Sequence, residues 1–340
     1  MAKKITMQDI ADRLQISKNS VSQALSGKPG VSEETRRIVE TAARELGYEY
    51  TSVRNQLQKS EQNKTFALIA SEFAFSLKSF FGEIYLSIER ELSKQGIHLL
   101  IQPISEHAIS ERQLPSFVQN KSVDGILILS HLSTDYINEI LSTNIPTILI
   151  DHHHPHINAD AILTNNRFGA YTAVEHLLKL GHRKIGFVGN TSYSPSYYER
   201  LEGYRLALHH HEIKIDPTFI LSDVLEEDED LRISMSKLPK QPTAWFCVND
   251  GFGFLVCSYL YHAGIKIPDQ ISVCNFDNGQ LSQISNPKIT TMDIDLKLYG
   301  IKAVEQLIWR INNKDAVYQE ILLPTTLIKR ASTGPVLTRD

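Results

Sequence analysis

Cysteine is scarce in this 340-residue chain: Cys247, Cys257 and Cys274 are the only three, and no two stand at a short paired spacing. They lie in or beside apolar runs, so they read as buried thiols of a reducing compartment, with neither a disulfide framework nor a zinc site implied. Long hydrophobic runs are missing too. Nothing approaches the roughly 18 to 20 apolar residues that a bilayer span needs, and the opening MAKKITMQDIADRL puts no apolar segment behind its lysines, so a cytoplasmic protein is expected. A phosphate-cradling glycine loop, a nucleophile elbow, a metal motif and a dinucleotide fingerprint are all absent, which leaves no enzyme class indicated and no cofactor expected. What is present is ordinary globular composition, 42% hydrophobic and 22% charged, enough to bury a real core.

The net charge of −4 is unevenly spread. Residues 1–60 hold ten lysines and arginines against seven acidic residues, a balance of +3 that leaves −7 for the remainder. A weakly basic head on an acidic body fits a small phosphate-contacting module attached to a body with other work. Three helices are legible in the head. Thr6 and Asp9 resemble a capping box ahead of Met7, Ile10, Ala11 and Leu14; Ser17 caps KNSVSQAL, with Val21, Ala24 and Leu25 inward; Ser32 caps a third helix with Ile38, Val39, Ala42 and Leu46 apolar and Gly47 as its stop. The tight join between the first two, with Lys18, Asn19, Ser22 and Gln23 left outward on the second, is helix-turn-helix geometry.

The run ITMQDIADRLQISKNSVSQALSGKPGVSEETRRIVETAARELGY resembles the N-terminal domain of the lactose/galactose repressor (LacI/GalR) family. That resemblance implies a DNA-binding head with base-reading side chains at Lys18, Asn19 and Gln23, and Ser17, Ser20 and Ser22 on phosphates or caps. Side-chain chemistry agrees, since Lys suits guanine and Asn or Gln suits adenine. Gln23 stands where the family usually has arginine, and Gln15 where the turn usually has glycine. The polar stretch 48–64 reads as a linker; by the resemblance it is a DNA-induced hinge in which Leu57 is a minor-groove wedge, while Tyr50 and Thr51 replace the usual Pro-Asn and Arg54 can track a narrow groove. Packing of Leu57 on the body is the alternative.

From Phe66 onward strand-like runs (66–70, 98–102, 125–129, 147–150, 184–189, 244–248, 271–276) alternate with helical stretches, the pattern of a parallel α/β sheet in two doubly wound lobes. Ligands of such sheets bind beyond the carboxyl ends of strands, where Ser71, Glu72, Ser130, His131, Asn190, Asp250 and Asn278 stand among other polar residues. Segments such as VEHLLKLGHRKIGFVG, ERLEGYRLAL, FCVNDGFG and IPDQISVCNFDN extend the resemblance over nearly the whole chain. It implies effector contacts at Asp151, Arg200, Asn249 and Asp277. Phe73, Phe75, Tyr193, Tyr197 and Tyr198 are candidates for stacking on a sugar ring, Phe73 and Tyr193 being retained. Ile294 lies where some sugar-responsive members have glutamine, and Asn275 replaces a usual glycine. Asp250 is a candidate helix cap and Arg200 a candidate ion-pair partner. The histidine runs at 152–156 and 209–211 lack ligand spacing, and the acidic run 226–230 reads as a solvated loop or helix start.

The expected architecture is a small all-α helix-turn-helix domain (1–48), a hinge (49–64) and a two-lobed doubly wound parallel α/β body (65–340) like periplasmic sugar-binding proteins. Its N-lobe is expected at 65–161 plus 293–320 and its C-lobe at 162–292 plus 321–340. The expected function is a ligand-responsive repressor, binding near-palindromic operator DNA as a homodimer and taking a carbohydrate effector, with no membrane partner and no added tetramerisation helix. A transport receptor or an enzyme on the same body is the alternative.

Overall fold

The computed structural model describes residues 5–26, 30–46, 48, 64–72, 74, 80–129 and 132–336. Contacts divide the chain into two compact units, 1–64 and 65–340. The expected hinge residues Arg54 and Leu57, the helix stop Gly47, the aromatic residues Phe73 and Phe75, and Ser130 and His131 lie outside the described residues.

In the first unit, α1 (Met7–Leu14), α2 (Lys18–Ser26) and α3 (Glu33–Glu45) pack around Ile10, Ala11, Val21, Ala24, Val39, Ala42 and Ala43. Each start is fixed by a side chain. The Thr6 amide donates to Asp9 Oδ2 at 2.7 Å while the Asp9 amide donates to Thr6 Oγ1, a reciprocal capping box. The Ser20 amide donates to Ser17 Oγ and the Thr35 amide to Ser32 Oγ. Gln15 ends α1 in the left-handed region at φ 52°, the conformation for which glycine is the usual residue. Of the apolar positions read in α3, Ile38 is 50% exposed. At 100° per residue the buried stripe of α3 centres on Val39, Ala42 and Ala43, which leaves Ile38 on its flank.

The second unit carries two six-stranded sheets. The first orders β11 (Glu320–Leu323), β5 (Asp160–Thr164), β4 (Thr147–Ile150), β3 (Gly125–Leu129), β1 (Thr65–Ser71) and β2 (His98–Ile104), all parallel. The second orders β12 (Thr325–Ile328), β10 (Thr290–Ile294), β9 (Ser272–Asp277), β8 (Ala244–Cys247), β6 (Ile185–Val188) and β7 (Ile220–Leu221); here β12 is antiparallel to β10, the one departure from the expected parallel sheet among the described strands. Both faces of the first sheet are covered. Phe66, Leu68 and Ala70 enter one core and Ala67 and Ile69 the other, which is why β1 reads as an unbroken apolar run.

The chain passes between sheets three times: after β5 into the helix Asn166–Lys179, after β10 into the helix Leu296–Asn312, and from β11 to β12 across Pro324. Each passage falls about three residues beyond the expected lobe boundary, because β5, β10 and β11 run to their ends before the chain leaves its sheet. A buried ion pair ties the end of the helix Leu296–Asn312 to β5 of the first sheet. Arg310 Nε and Nη2 each stand 2.7 Å from an oxygen of Asp160, and Arg310 Nη1 donates to the Ala316 carbonyl at 2.6 Å. Asp160 is wholly buried and also accepts the Gln319 amide. Asp160→Ala, which leaves the guanidinium buried and unpaired, is expected to lower unfolding stability by about 3–5 kcal/mol. Urea denaturation of the full chain measures it, and a loss within error of zero would mean the pair is dispensable.

Candidate functional site

The carboxyl ends of β4, β8, β9 and β10 face a cavity of about 470 Å³ in the second unit, closed by the starts of the helices Phe81–Lys94, Pro195–His210 and Asp250–His262. Five of the expected effector residues line it: Asp151, Tyr193, Arg200, Asn249 and Asp277. Asp250, Asn278 and Ile294 line it as well, whereas Ser71, Glu72, Asn190 and Tyr198 do not.

Arg200 organises the wall. It is 2% exposed, lies with its guanidinium carbon 3.9 Å from the centre of the Phe276 ring, and donates from Nε to Asn166 Oδ1 at 2.9 Å and from Nη1 to the Val248 carbonyl at 2.7 Å. Nη1 also stands 2.9 Å from Asp277 Oδ1, an approach held by charge and not by a directed hydrogen bond. Nη2 makes no hydrogen bond to the described residues, so one edge of the fork stays available to the cavity it lines. Asp277 (φ 88°) and Asp151 (φ 56°) both turn into the left-handed region as their strands end.

Asn249, and not Asp250, caps the helix Asp250–His262: its Oδ1 accepts the Phe252 amide at 2.9 Å, while Nδ2 donates to Tyr197 Oη and to Glu226 Oε2, each at 2.7 Å. Asp250 instead accepts from the Ser282 amide at 3.1 Å. Asn275, wholly buried, donates to Ser282 Oγ at 2.9 Å. It fits only because Gly253 faces it; a Cβ there would come within 2.3 Å of Asn275 Nδ2.

Burial pushes Asp151 up to about 7 despite the nearby Arg200 charge, with Asp277 and Glu199 adding to the rise. Burial likewise raises Asp277, Glu226 and Asp250. Behind the wall, His153 lies 3.0 Å from Glu199 Oε1 through Nε2 and 2.9 Å from Glu320 Oε1 through Nδ1, and the Glu199 hydrogen bond holds its pKa up at about 9 against desolvation. Asn166 joins this pair to Arg200 by donating to Glu199 Oε2 at 2.9 Å.

Residues that the sequence reading missed include Phe80, Phe81, Glu83, Ser194, Ser196 and Asp293. Glu226 corrects an expectation: it belongs to the cavity, and only the helix Asp228–Ser236 is the helix start read into the acidic run. Tyr193 and Tyr197 pack together at 5.9 Å between ring centres, Tyr193 being 47% exposed. Among the described residues no helix is long and apolar enough to cross a membrane.

Residues 6–50 match the family of bacterial regulatory proteins of the lacI type, and residues 174–333 match the periplasmic binding protein-like domain. The ribose operon repressor of Haemophilus influenzae is 29% identical over 329 residues, covering 96% of this chain and 98% of its own. The transcriptional repressor CytR of Escherichia coli K12 is 29% identical, covering 96% of each. Among solved structures, a LacI family transcriptional regulator from Enterococcus faecium with bound ribose superposes with a TM-score of 0.68 at 28% identity, over 81% of this chain and all of that one. The lac repressor dimer bound to operator shares the fold, with a TM-score of 0.70 at 23% identity, over 98% of this chain and all of that one.

The raised carboxyl of Asp151 sets a pH dependence. Between its unfolded value near 3.8 and its folded value of about 7 the folded state holds the extra proton, so stability falls as pH rises through that window, by at most about 1.4 kcal/mol per unit. Asp151→Asn is expected to flatten the melting temperature between pH 5 and 6.5. It does not abolish the slope, because Asp277, Glu226 and Asp250 act in the same direction. The stability from His153 is fully present below about 6.5 and is lost as pH rises through about 9, mostly above this range. Thermal melts at fixed ionic strength measure the slope, and an unchanged slope would remove Asp151 from the account.

Proposed function

We propose that the chain is a lacI-family regulator, a cytoplasmic homodimeric repressor that reads a near-palindromic operator and answers to a sugar or sugar derivative. Transcriptional regulation through DNA is the family's work. The finer reading rests most on one observation: a helix-turn-helix whose second helix, started by Ser17, leaves Lys18 and Asn19 exposed. Their amine and carboxamide suit base edges of the major groove. Ser17, Ser20 and Ser22 take phosphate or capping roles in this reading. Gln23, half-buried with its carboxamide beside Gly30, is a base reader that has to swing outward. Arg54 and Leu57 complete it as hinge contacts.

In the body, Asp151, Tyr193, Arg200, Asn249 and Asp277 hold the effector in this reading, and Phe73 is proposed as a further contact from the sequence alone. Support comes from the open Nη2 edge of Arg200 and the surrounding carboxyls, which match a ring of hydroxyls, and from the ribose in the Enterococcus faecium relative. The cavity is read as a binding site and not a catalytic one, because the relatives of the chain are regulators.

Selection of duplexes from a random DNA pool by the full-length protein is expected to return two inverted half-sites about one helical turn apart. Asn19→Ala is expected to weaken specific binding roughly ten- to hundredfold, the worth of a bidentate base contact, while leaving the salt dependence unchanged. A pool with no sequence preference, with ribose or without, would refute the regulator reading for this chain.

A further inference from the structure

We infer that the cavity selects its ligand by charge: it takes a polyhydroxyl compound that is uncharged or carries an amine, and it rejects the phosphorylated form of the same sugar. The inference deepens the effector reading above and rests on it. Among the described residues six carboxyl groups line the cavity, on Glu83, Asp151, Glu226, Asp250, Asp277 and Asp293, against one cation, Arg200, and no lysine or histidine; Lys78 and His131 lie outside those residues. Arg200 is already committed to Asp277 at 2.9 Å. The other carboxyls with hydrogen-bond partners are held by neutral donors: Asn249 on Glu226 and Asn278 on Asp293, each at 2.7 Å, Ser282 on Asp250, and Tyr299 on Asp151 at 3.4 Å. Neutral donors stabilise a carboxylate without cancelling its field. Behind the wall, His153 is engaged by Glu199 and Glu320, while Arg330, held by the Ile289 carbonyl and Asn278, keeps its charge and offsets part of the rise at Asp250 but stays out of the lining.

Three helix starts close the cavity, where backbone N–H groups could meet an anion: Glu83 stands in the first turn of Phe81–Lys94, Ser194 Oγ takes the Ser196 amide at the start of Pro195–His210, and the third is the start of the helix Asp250–His262. That place is filled. A Cβ on Gly251 would fall 1.6 Å from Glu226 Oε1, so the Glu226 carboxylate already lies over the first turn of the helix, and the Phe252 amide is taken by Asn249. The upward shifts of Asp151, Glu226, Asp250 and Asp277 come first from burial, and neighbouring carboxylates add to three of them; a phosphate would enlarge the same repulsion, and an ammonium group would relieve it.

The test is calorimetric titration of the full-length protein with matched probes: ribose against ribose 5-phosphate, and glucose and glucosamine against glucose 6-phosphate. At low salt the phosphorylated probe is expected to bind at least roughly a hundredfold more weakly than its parent, and the gap is expected to narrow as salt rises. Glu226→Gln, which keeps an oxygen for Asn249 and removes one charge, is expected to narrow the gap roughly tenfold. A phosphorylated probe that binds as well as its parent or better overturns charge selection and leaves the effector reading standing. If no probe binds and none changes operator affinity, the effector reading fails and this inference fails with it.

Discussion

The buried guanidinium of Arg200 is the constraint around which the ligand-binding body is arranged. A cation with 2% exposure is tolerable only when its charge and its donors are met, and this one is met from several directions: Asp277 at the end of β9, the Val248 carbonyl just past β8, Asn166 at the start of the helix after β5, and the face of Phe276. Three segments distant in sequence, at Asn166, Val248 and Phe276–Asp277, are thereby fixed around one planar group. Asp277 therefore braces the fold as well as facing the cavity. Its removal would leave Arg200 buried without its counter-charge, so loss of ligand in such a variant would not by itself identify a contact.

The strand ends carry the cost of that arrangement. Asp151, Asp277 and Asn278 all lie at positive φ, where a side chain other than glycine is held against a preference of roughly 1–2 kcal/mol. The surroundings hold them there. Asn278 donates its amide to Thr291 Oγ1 at 3.1 Å and its Nδ2 to Asp293 at 2.7 Å; Asp151 accepts from Tyr299 and donates its amide to the Ile162 carbonyl at 2.9 Å. The strain turns two carboxylates into the cleft instead of letting them follow the chain away from it.

Much of this was legible in the sequence, for physical reasons that also mark the limits. Six of the seven apolar runs stood out because their strands are buried; β2, at a sheet edge, is mostly exposed, with Leu100 41% and Ile101 43% accessible, and was read from composition alone. β10 did not stand out, since TTMDI mixes threonine and aspartate with its apolar residues, and β11 and β12 are edge strands parted only by Pro324. Helix caps in the head were readable because a cap is local: Ser17 and Ser32 act on amides three residues away. Pairings across the chain were not. Asp160 and Arg310 are 150 positions apart, and His153 meets Glu320 from 167 away. Glu226 was hidden for the opposite reason, as one acid among five consecutive ones whose separate fates only the fold decides. Of the polar residues at strand ends, Asp151, Asn249, Asp250, Asp277 and Asn278 meet at the cavity because a parallel sheet presents its carboxyl ends together, whereas Ser71, Glu72 and Asn190 do not reach it.

Apolar packing in the body runs continuously from one sheet to the other, whereas the contacts that meet at the cavity are polar. His153, in the loop after β4, reaches Glu199 on the helix Pro195–His210, which belongs with the second sheet; Asp151, at the end of β4, lies within the field of Arg200 on that same helix. Charge-assisted contacts of this kind depend steeply on distance and angle, so a small rotation of one sheet against the other changes their energy more than it changes that of a broad apolar contact. In the effector reading proposed above, a ligand with many hydroxyls would compete for the same kind of donors and acceptors. Its leverage over the arrangement of the lobes equals the difference in its affinity for the alternatives, and that difference is largest where ligand and lobe seam share donors and acceptors. Placing the cavity against the Arg200, Asn166, Glu199 and His153 chain puts binding and lobe geometry on one set of hydrogen bonds, so neither can change without the other.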